Sequence, residues 1–531
     1  MTKISKILFL LLVISAELSA KSIYLNNKGL TSKLFIADTI LSSSLVVFNG
    51  EVDNRNIVAQ SIDFEIGINK FTPIKIYDSG NVLHRFVIRF DNETTTSLRF
   101  EEIYLNQQQR ITVYSLDSSS VYSYNIQDIG KNNKLVTGPI KTKNLVIDFL
   151  TSSDKQLFPF KITKLYYYKN SESGNGFGTS QVCMVNSICP EASPFYLENS
   201  ATCKIVVNTP NYIGYCTGTL VNNTKEDGTP YILTANHCMG KSSLNDLGDW
   251  EFHFLYHSST CRNPLVEPIP LVFKGAELIA QSGSEGGEKS SDFLLLKLKN
   301  PLSGGFAFTF LGWDRIDSLP KNGICFHHPD GDIKKMSTYS FTNISSFKGI
   351  VPSTHFSLEW NEMLSGNSVT QGGSSGAGLL NENKLLVGTL TGGGSYCNPQ
   401  VMGPDYFGRL SYHWDKFGKK DSERLDVWLD PLTNGKALRL RTIKKQMSSS
   451  IEENKKQTEF ATLYFDGNYL VSRSSIEKCY IEIYNIQGSK LTEKKYIENE
   501  IVVNLREYSK GFYLIKISSP TKSIVHKLFL Q

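Results

Sequence analysis

The chain of 531 residues is long enough for three or four domains at roughly 150 residues each. A composition of 40% hydrophobic, 20% charged and 11% aromatic residues excludes a mainly disordered or collagen-like chain. A net charge of +5, from 56 basic and 51 acidic side chains, is too small and diffuse to point to nucleic acid.

In chain order, Ile7–Ile14 is apolar and follows Lys3 and Lys6. It is shorter than the about 20 residues a membrane span needs, so residues 1–20 read as a signal peptide, although Leu18 fits a cleavage site poorly. Export would place the nine cysteines in an oxidising compartment, where disulfides are the default. Eight of them lie between Cys183 and Cys397, and Cys479 stands apart. Residues 21–175 carry short runs of alternating polarity, such as Phe86–Phe90, Arg110–Tyr114 and Leu145–Phe149, and predict a β-sandwich. Asn170–Ser180 is rich in Gly, Ser and Asn and reads as an exposed linker.

Residues 176–442 continue the strand-like runs, with one helical stretch expected at Glu423–Leu429. Lys444–Lys456 reads as a second linker, placed at 443–459, before a return to short strands in 460–531. The whole is predicted to be all-β.

Three signals in the middle region carry chemistry. They are Thr234–Cys238 with His237, Ser291-Asp292 opening an apolar strand, and Gly372–Gly378 around Ser375. A serine hydroxyl needs a nearby base to become a nucleophile, and histidine titrates in the right range. A buried carboxylate fixes the imidazole tautomer, and preorganised N–H groups hold the tetrahedral oxyanion. His237 is thus the candidate base, Asp292 its orienter and Ser375 the nucleophile, with the Gly373 and Ser375 N–H groups as oxyanion hole. Singly, each signal has an ordinary reading as a loop, a structural histidine or a strand-end aspartate. The order of the three, their wide spacing and Cys216/Cys238 around the histidine loop favour the joint reading.

This pattern resembles the chymotrypsin-like serine peptidases and, more closely, the bacterial lysyl endopeptidases. The likeness runs through Cys189-Pro190-Glu191, Cys216–Thr224, Gly312–Arg315, His327-His328-Pro329, Tyr406–Arg409 and Asp426–Pro431. It implies two packed antiparallel β-barrels with the triad between them and no cofactor or metal. It also implies disulfides Cys183–Cys397, Cys189–Cys261 and Cys216–Cys238, and the even count suggests a fourth, Cys203–Cys325. The trypsin-like pocket position, six before the nucleophile, is Val369, whereas the resemblance places the pocket aspartate at Asp405. That carboxylate would favour a Lys or Arg side chain at P1. Thr391 stands where the family has a pocket-wall histidine, and Phe347–Val351 lacks the family's tryptophan, which weakens a strict choice of Lys over Arg. Gly392, Gly393 and Gly394 would supply the wall that binds the substrate backbone.

Other groups read as scaffold. His253, His257 and Cys261 have the spacing of a metal face only on a helix, and Trp250–Tyr256 reads as a strand. His327-His328-Pro329 and an Asp314/Arg315 pair are taken as structural. Ser374 before the nucleophile carries no charge for a freed α-amino group, so a trypsin-like activation salt bridge is not expected. Lys169 offers a site for self-processing.

Residues 21–175 resemble the β-rich propeptides of such peptidases, which assist folding or cover the cleft. Residues 460–531 resemble the C-terminal sorting domain of the type IX secretion system, through Ile483–Gly488, Gly511–Lys516 and Lys527–Leu530. The chain is therefore expected to be a secreted or surface-held monomeric serine endopeptidase. Its partners would be protein or peptide substrates and the type IX machinery. Alternatives are a silent adhesin on the same scaffold, or the same enzyme with a non-basic P1 preference.

Overall fold

The computed structural model describes residues 39–41, 57–66, 71–75, 82–116, 120–129, 132–151, 159–169, 176–265, 267–268, 270–282, 290–302, 307–398, 403–416, 418–446, 461–465, 469–474, 480–485, 490–495, 500–504, 508, 511–518 and 523–530. The expected signal peptide and most of the second linker lie outside them.

The N-terminal region is built on β1 (Ile57–Ile66), β2 (Val82–Glu101), β3 (Arg110–Ser115), β4 (Val121–Tyr124), β5 (Ile140–Thr151) and β6 (Lys161–Tyr168), hydrogen-bonded in the order β1-β6-β2-β5-β3-β4. The 20-residue β2 organises it. This strand pairs with β5 through Val82–Arg89 and, after a register shift, Thr94–Thr96, and its last six residues pair with β6. Phe86, Ile88, Phe90, Leu98 and Phe100 recur at even positions and share one face, where they enclose a core with Phe149, Phe160 and Leu165. The layers expected of a sandwich are thus parts of one bent sheet.

The middle region has two curled antiparallel sheets. The first holds β7 (Thr202–Asn208), β8 (Tyr212–Val221), β9 (Tyr231–Thr234), β10 (Glu251–Phe254), β11 (Leu271–Lys274), β12 (Ala276–Gln281) and β13 (Leu294–Leu298), in the order β11-β10-β7-β8-β9-β13-β12. The second holds β14 (Gly323–His327), β15 (Lys335–Tyr339), β16 (Asn343–Ser345), β17 (His355–Leu358), β18 (Gly378–Asn381), β19 (Leu386–Gly393) and β20 (Asp405–Arg409), in the order β15-β14-β18-β19-β20-β17-β16. It closes over Met184, Tyr339, Phe356, Trp360, Val369, Leu379, Leu390 and Phe407. The helical stretch expected at 423–429 is one turn, Asp426–Leu429, and a second short helix at Leu410–Asp415 was not legible.

The N-terminal sheet runs without a break into the first of these. β1 pairs with β8 through Ala59–Ile213 and Gln60–Tyr212. Val58, Ala59, Tyr166 and Tyr168 pack with Ile213 and Tyr215 in one shared cluster. Arg99 donates to Asp249 at 2.6 Å, with both side chains buried, and Tyr166 Oη donates to the Thr209 carbonyl at 2.6 Å. The expected boundary at 175/176 therefore crosses a single compact body, which spans most of the chain up to Lys445.

The described residues from 461 onward belong to a second body. Its strands make a three-stranded sheet of Ala461–Phe465, Tyr469–Ser474 and Glu500–Asn504. They also make a four-stranded sheet of Lys490–Lys495, Tyr480–Asn485, Gly511–Ser518 and Ser523–Leu530. Ile481, Ile483, Ile515 and Ile517 are buried at alternate positions on adjacent strands.

Candidate active site

The β9–β13 ladder sets two of the three candidate residues side by side. Thr234 pairs with Leu294, so the turn after β9 (Asn236–Met239) meets the residues that lead into β13. Cys216–Cys238 fastens the turn to β8. Asp292 is fully buried, at φ +63°. Its Oδ1 accepts the His237 backbone N–H at 3.0 Å, and its Oδ2 lies 2.7 Å from His237 Nδ1. Burial pushes the Asp292 carboxyl up. The attraction to His237, bonds from its side chain and backbone, and a bond from Thr391 outweigh this, and the net shift is downward. An ionised Asp292 keeps the imidazole proton on Nδ1 and turns Nε2 outward as the basic atom. Among the described residues Nε2 has no hydrogen-bond partner.

Ser375 sits on a turn held by both sheets. Its carbonyl accepts the Thr217 N–H of β8 at 2.8 Å, and the next residue, Gly376, donates to Leu390 of β19 at 2.8 Å. The Gly372 carbonyl accepts from Asp330 N–H, and the Ser374 carbonyl from Ala377 N–H. In trans peptides the Gly373 and Ser375 N–H groups then point away from those carbonyls. Ser374 points inward: its hydroxyl meets Nδ1 of His327 at 2.8 Å, and burial lowers the His327 pKa to about 3.

Asp405 opens β20 and is buried, 1% exposed. Its Oδ2 accepts from Trp360 Nε1 at 2.6 Å, Thr370 Oγ1 at 2.6 Å and Ser395 Oγ at 2.7 Å, and its Oδ1 from Ser395 N at 3.3 Å. Burial raises its pKa and these donors oppose the rise. Among the described residues its hydrogen-bond donors are all neutral. Val369 is part of the second sheet's core.

Thr391 packs behind the Asp292 carboxylate. A register shift between Leu390 and Gly392 makes it a bulge residue, and bulges re-aim side chains. It is fully buried, bonded to Asp292 and 3.0 Å from His355 Nε2. The Gly394 N–H donates to the Pro404 carbonyl and its own carbonyl accepts from Gly403. Gly392 and Gly393 face Tyr406 and Asp405 across the ladder, and Gly393 leaves no room for a Cβ beside Asp405 Oδ1. The Phe347 ring lies 5.9 Å from His355 and 5.6 Å from Tyr406. Asp314 and Arg315 are not partners: Asp314 takes Arg439 and Asn381, while Arg315 donates to Gly435 and Ala437.

The disulfides Cys183–Cys397, Cys189–Cys261 and Cys216–Cys238 are formed. The fourth is not: Cys203 and Cys325 are free thiols, one facing Gly218 in the first sheet and the other packed in the core of the second. His253 bonds to Glu251 on its own strand and Cys261 is spent in a disulfide. Among the described residues no cluster is arranged to hold a metal.

Residues missed by sequence reasoning are Trp360, Thr370 and Ser395 around Asp405, and His355 behind Thr391. The Leu358–Asp405 pairing of β17 with β20 carries Trp360 to the carboxylate, and that register has no local signature.

Residues 177–408 match the family described as "Lysyl endopeptidase, C-terminal domain", and residues 443–531 the "Secretion system C-terminal sorting domain". A lysyl endopeptidase of Pseudomonas aeruginosa is 27% identical over 309 residues, covering 54% of this chain. The chain spans 63% of that relative's length. A crystal structure of a thermostable serine protease, AL20, from an extremophilic microorganism aligns with 43% of this chain and 97% of its own, at 13% identity and a TM-score of 0.29. The sorting domain marks an exported chain, secreted or displayed at the cell surface. Residues 177–408 are thus similar to the C-terminal domain of lysyl endopeptidases, and residues 443–531 to a secretion-system sorting domain.

Proposed function

We propose that this chain is a secreted serine endopeptidase that cleaves after lysine or arginine through an acyl-enzyme. The observation that carries the reading is the buried Asp292 carboxylate with both oxygens engaged by His237. His237 Nε2 takes the Ser375 hydroxyl proton as Oγ attacks the scissile carbonyl, and returns it to the leaving amine. The Gly373 and Ser375 N–H groups hold the oxyanion. Water then attacks the ester by the same base. An adhesin has no use for an ionised carboxylate buried behind a histidine.

The basic P1 preference rests on Asp405, a buried carboxylate with neutral donors alone, which a cationic side chain would complete. In domain terms, residues 1–20 are the signal peptide, 21–175 a propeptide, 176–442 the protease, 443–459 a linker and 460–531 the type IX sorting domain. The propeptide's joints with the first sheet, at 209–215 and Asp249, support a role in folding that sheet. The test is to map cleavage sites on a denatured proteome. Cuts after Lys and Arg that vanish with Ser375→Ala support the reading, and cuts without a basic P1 would overturn the specificity.

A further inference from the structure

The segment Gly176–Gln181 does not behave as the free linker its composition suggests. Gly178 N–H donates to Asp332 Oδ1 at 2.7 Å, and Ser180 Oγ to Asp332 Oδ2 at 2.5 Å. Gly176 N–H donates to the Asp330 carbonyl at 3.1 Å, and Gln181 N–H to Gln371 Oε1 at 3.0 Å. Asp332 is 2% exposed, and also accepts its neighbour's N–H, from Ile333, at 2.7 Å. Lys335 Nζ stands 3.7 Å from it.

The turn gripped in this way, Pro329–Gly331, is the floor under the oxyanion turn. Asp330 N–H donates to the Gly372 carbonyl at 2.5 Å, and this bond turns the Gly373 N–H outward. Gly373, at φ +86°, lies so close that a Cβ would stand 2.8–2.9 Å from His328 O, Asp330 N and Gly331 N. A shift of the 329–331 turn would therefore be passed to Gly373 directly.

We propose that Asp332 is a positioning residue for the oxyanion hole: it clasps Gly178–Ser180 across the Pro329–Gly331 turn and so holds Asp330 N–H against the Gly372 carbonyl. This rests on the reading of Gly373 and Ser375 as the oxyanion donors. It differs from activation by a buried α-amino group, because the clasp uses a peptide N–H, a hydroxyl and a carboxylate.

The test uses enzyme obtained from the full chain, with Asp332→Ala, Ser180→Ala and Ser180→Thr. Three quantities are read: kcat and KM on a lysyl peptide amide, affinity for a peptidyl-lysine aldehyde whose adduct bears an oxyanion, and affinity for n-butylamine, which reaches only the pocket. Asp332→Ala should lower kcat about tenfold or more with KM little changed, as partial loss of an oxyanion donor does. Aldehyde affinity should fall in parallel and butylamine affinity should stay. Ser180→Ala should show the same split more weakly, and Ser180→Thr should restore it. If Asp332→Ala fails to fold, the Ser180 pair decides. Unchanged kcat in the folded variants, or equal loss of aldehyde and butylamine binding, overturns the proposal. A wild-type enzyme whose Ser375 resists a serine-directed phosphonate would instead overturn the catalytic reading itself.

Discussion

The Trp360 indole N–H donates to the Asp405 carboxylate across 2.6 Å, from two residues beyond the point where β17 pairs with Asp405. With Thr370 and Ser395 it surrounds the buried carboxyl with neutral donors among the described residues. Asp405→Asn should cost lysyl and arginyl substrates about 2–5 kcal/mol in kcat/KM, or about 30- to 4,000-fold, and leave apolar-P1 substrates nearly unaffected. Equal loss on both substrate classes would mean general damage to the pocket.

Trp360→Phe keeps the ring and removes one donor. A hydrogen bond to a charged group is worth about 1.5–3 kcal/mol, so kcat/KM for lysyl substrates should fall by about tenfold or more. The Asp405 pKa should rise further, which moves the acid limb of the activity profile to higher pH. A profile that does not move would detach Trp360 from the charge on Asp405.

The two buried carboxylates titrate in opposite directions. Burial raises Asp405 and its three side-chain donors reduce the rise, so KM for basic substrates should climb on acidification in a window above the ordinary value of about 3.9. Asp292 is raised by burial but lowered, on balance, by His237 and Thr391. A carboxyl with a depressed folded pKa adds stability that is present above its unfolded pKa and lost as pH falls through the folded one. Acid unfolding of Asp292→Asn should accordingly be shallower than that of the wild type below about pH 4. Parallel acid transitions would show that Asp292 adds nothing to stability.

Ser375→Ala should abolish turnover with the fold intact. Ser374→Ala should keep the nucleophile yet lower stability by about 1–3 kcal/mol, because it leaves the buried His327 Nδ1 without its partner. Kinetics and thermal unfolding on the two variants separate the roles. Exchanged phenotypes would overturn the assignment.

Arg99 joins the N-terminal sheet to Asp249 with both side chains buried. Arg99→Ala leaves Asp249 with Asn132 as its remaining side-chain partner among the described bonds, and should destabilise the full chain by about 3–5 kcal/mol in denaturant unfolding. A loss under about 1 kcal/mol would place the joint elsewhere, in the Tyr166–Tyr215 cluster.

How much was legible follows from where each signal lies. His237, Asp292 and Ser375 stand in short local patterns, and three disulfide pairs came with the family likeness. The contacts of Thr391 with Asp292 and His355 were not legible, because a bulge decides which way it points and a one-residue slip reverses a side chain. Trp360 and His355 depend on the register of β17 against β20, which no single segment encodes. The joining of the N-terminal sheet to β8 was invisible for the same reason: Ile57–Ile66 reads as a strand without naming its partner. Gly176–Gln181 looked like a linker by composition, although its backbone and side chains are spent on Asp330, Asp332 and Gln371.

The most direct measurement is covalent labelling with a phosphonate that carries a lysine-like P1 group, read by intact mass and peptide mapping. The account predicts a single adduct on Ser375, formed in the wild type, strongly slowed in Asp405→Asn and absent in Ser375→Ala. An adduct on another residue, or none on the correctly processed wild type, would contradict it.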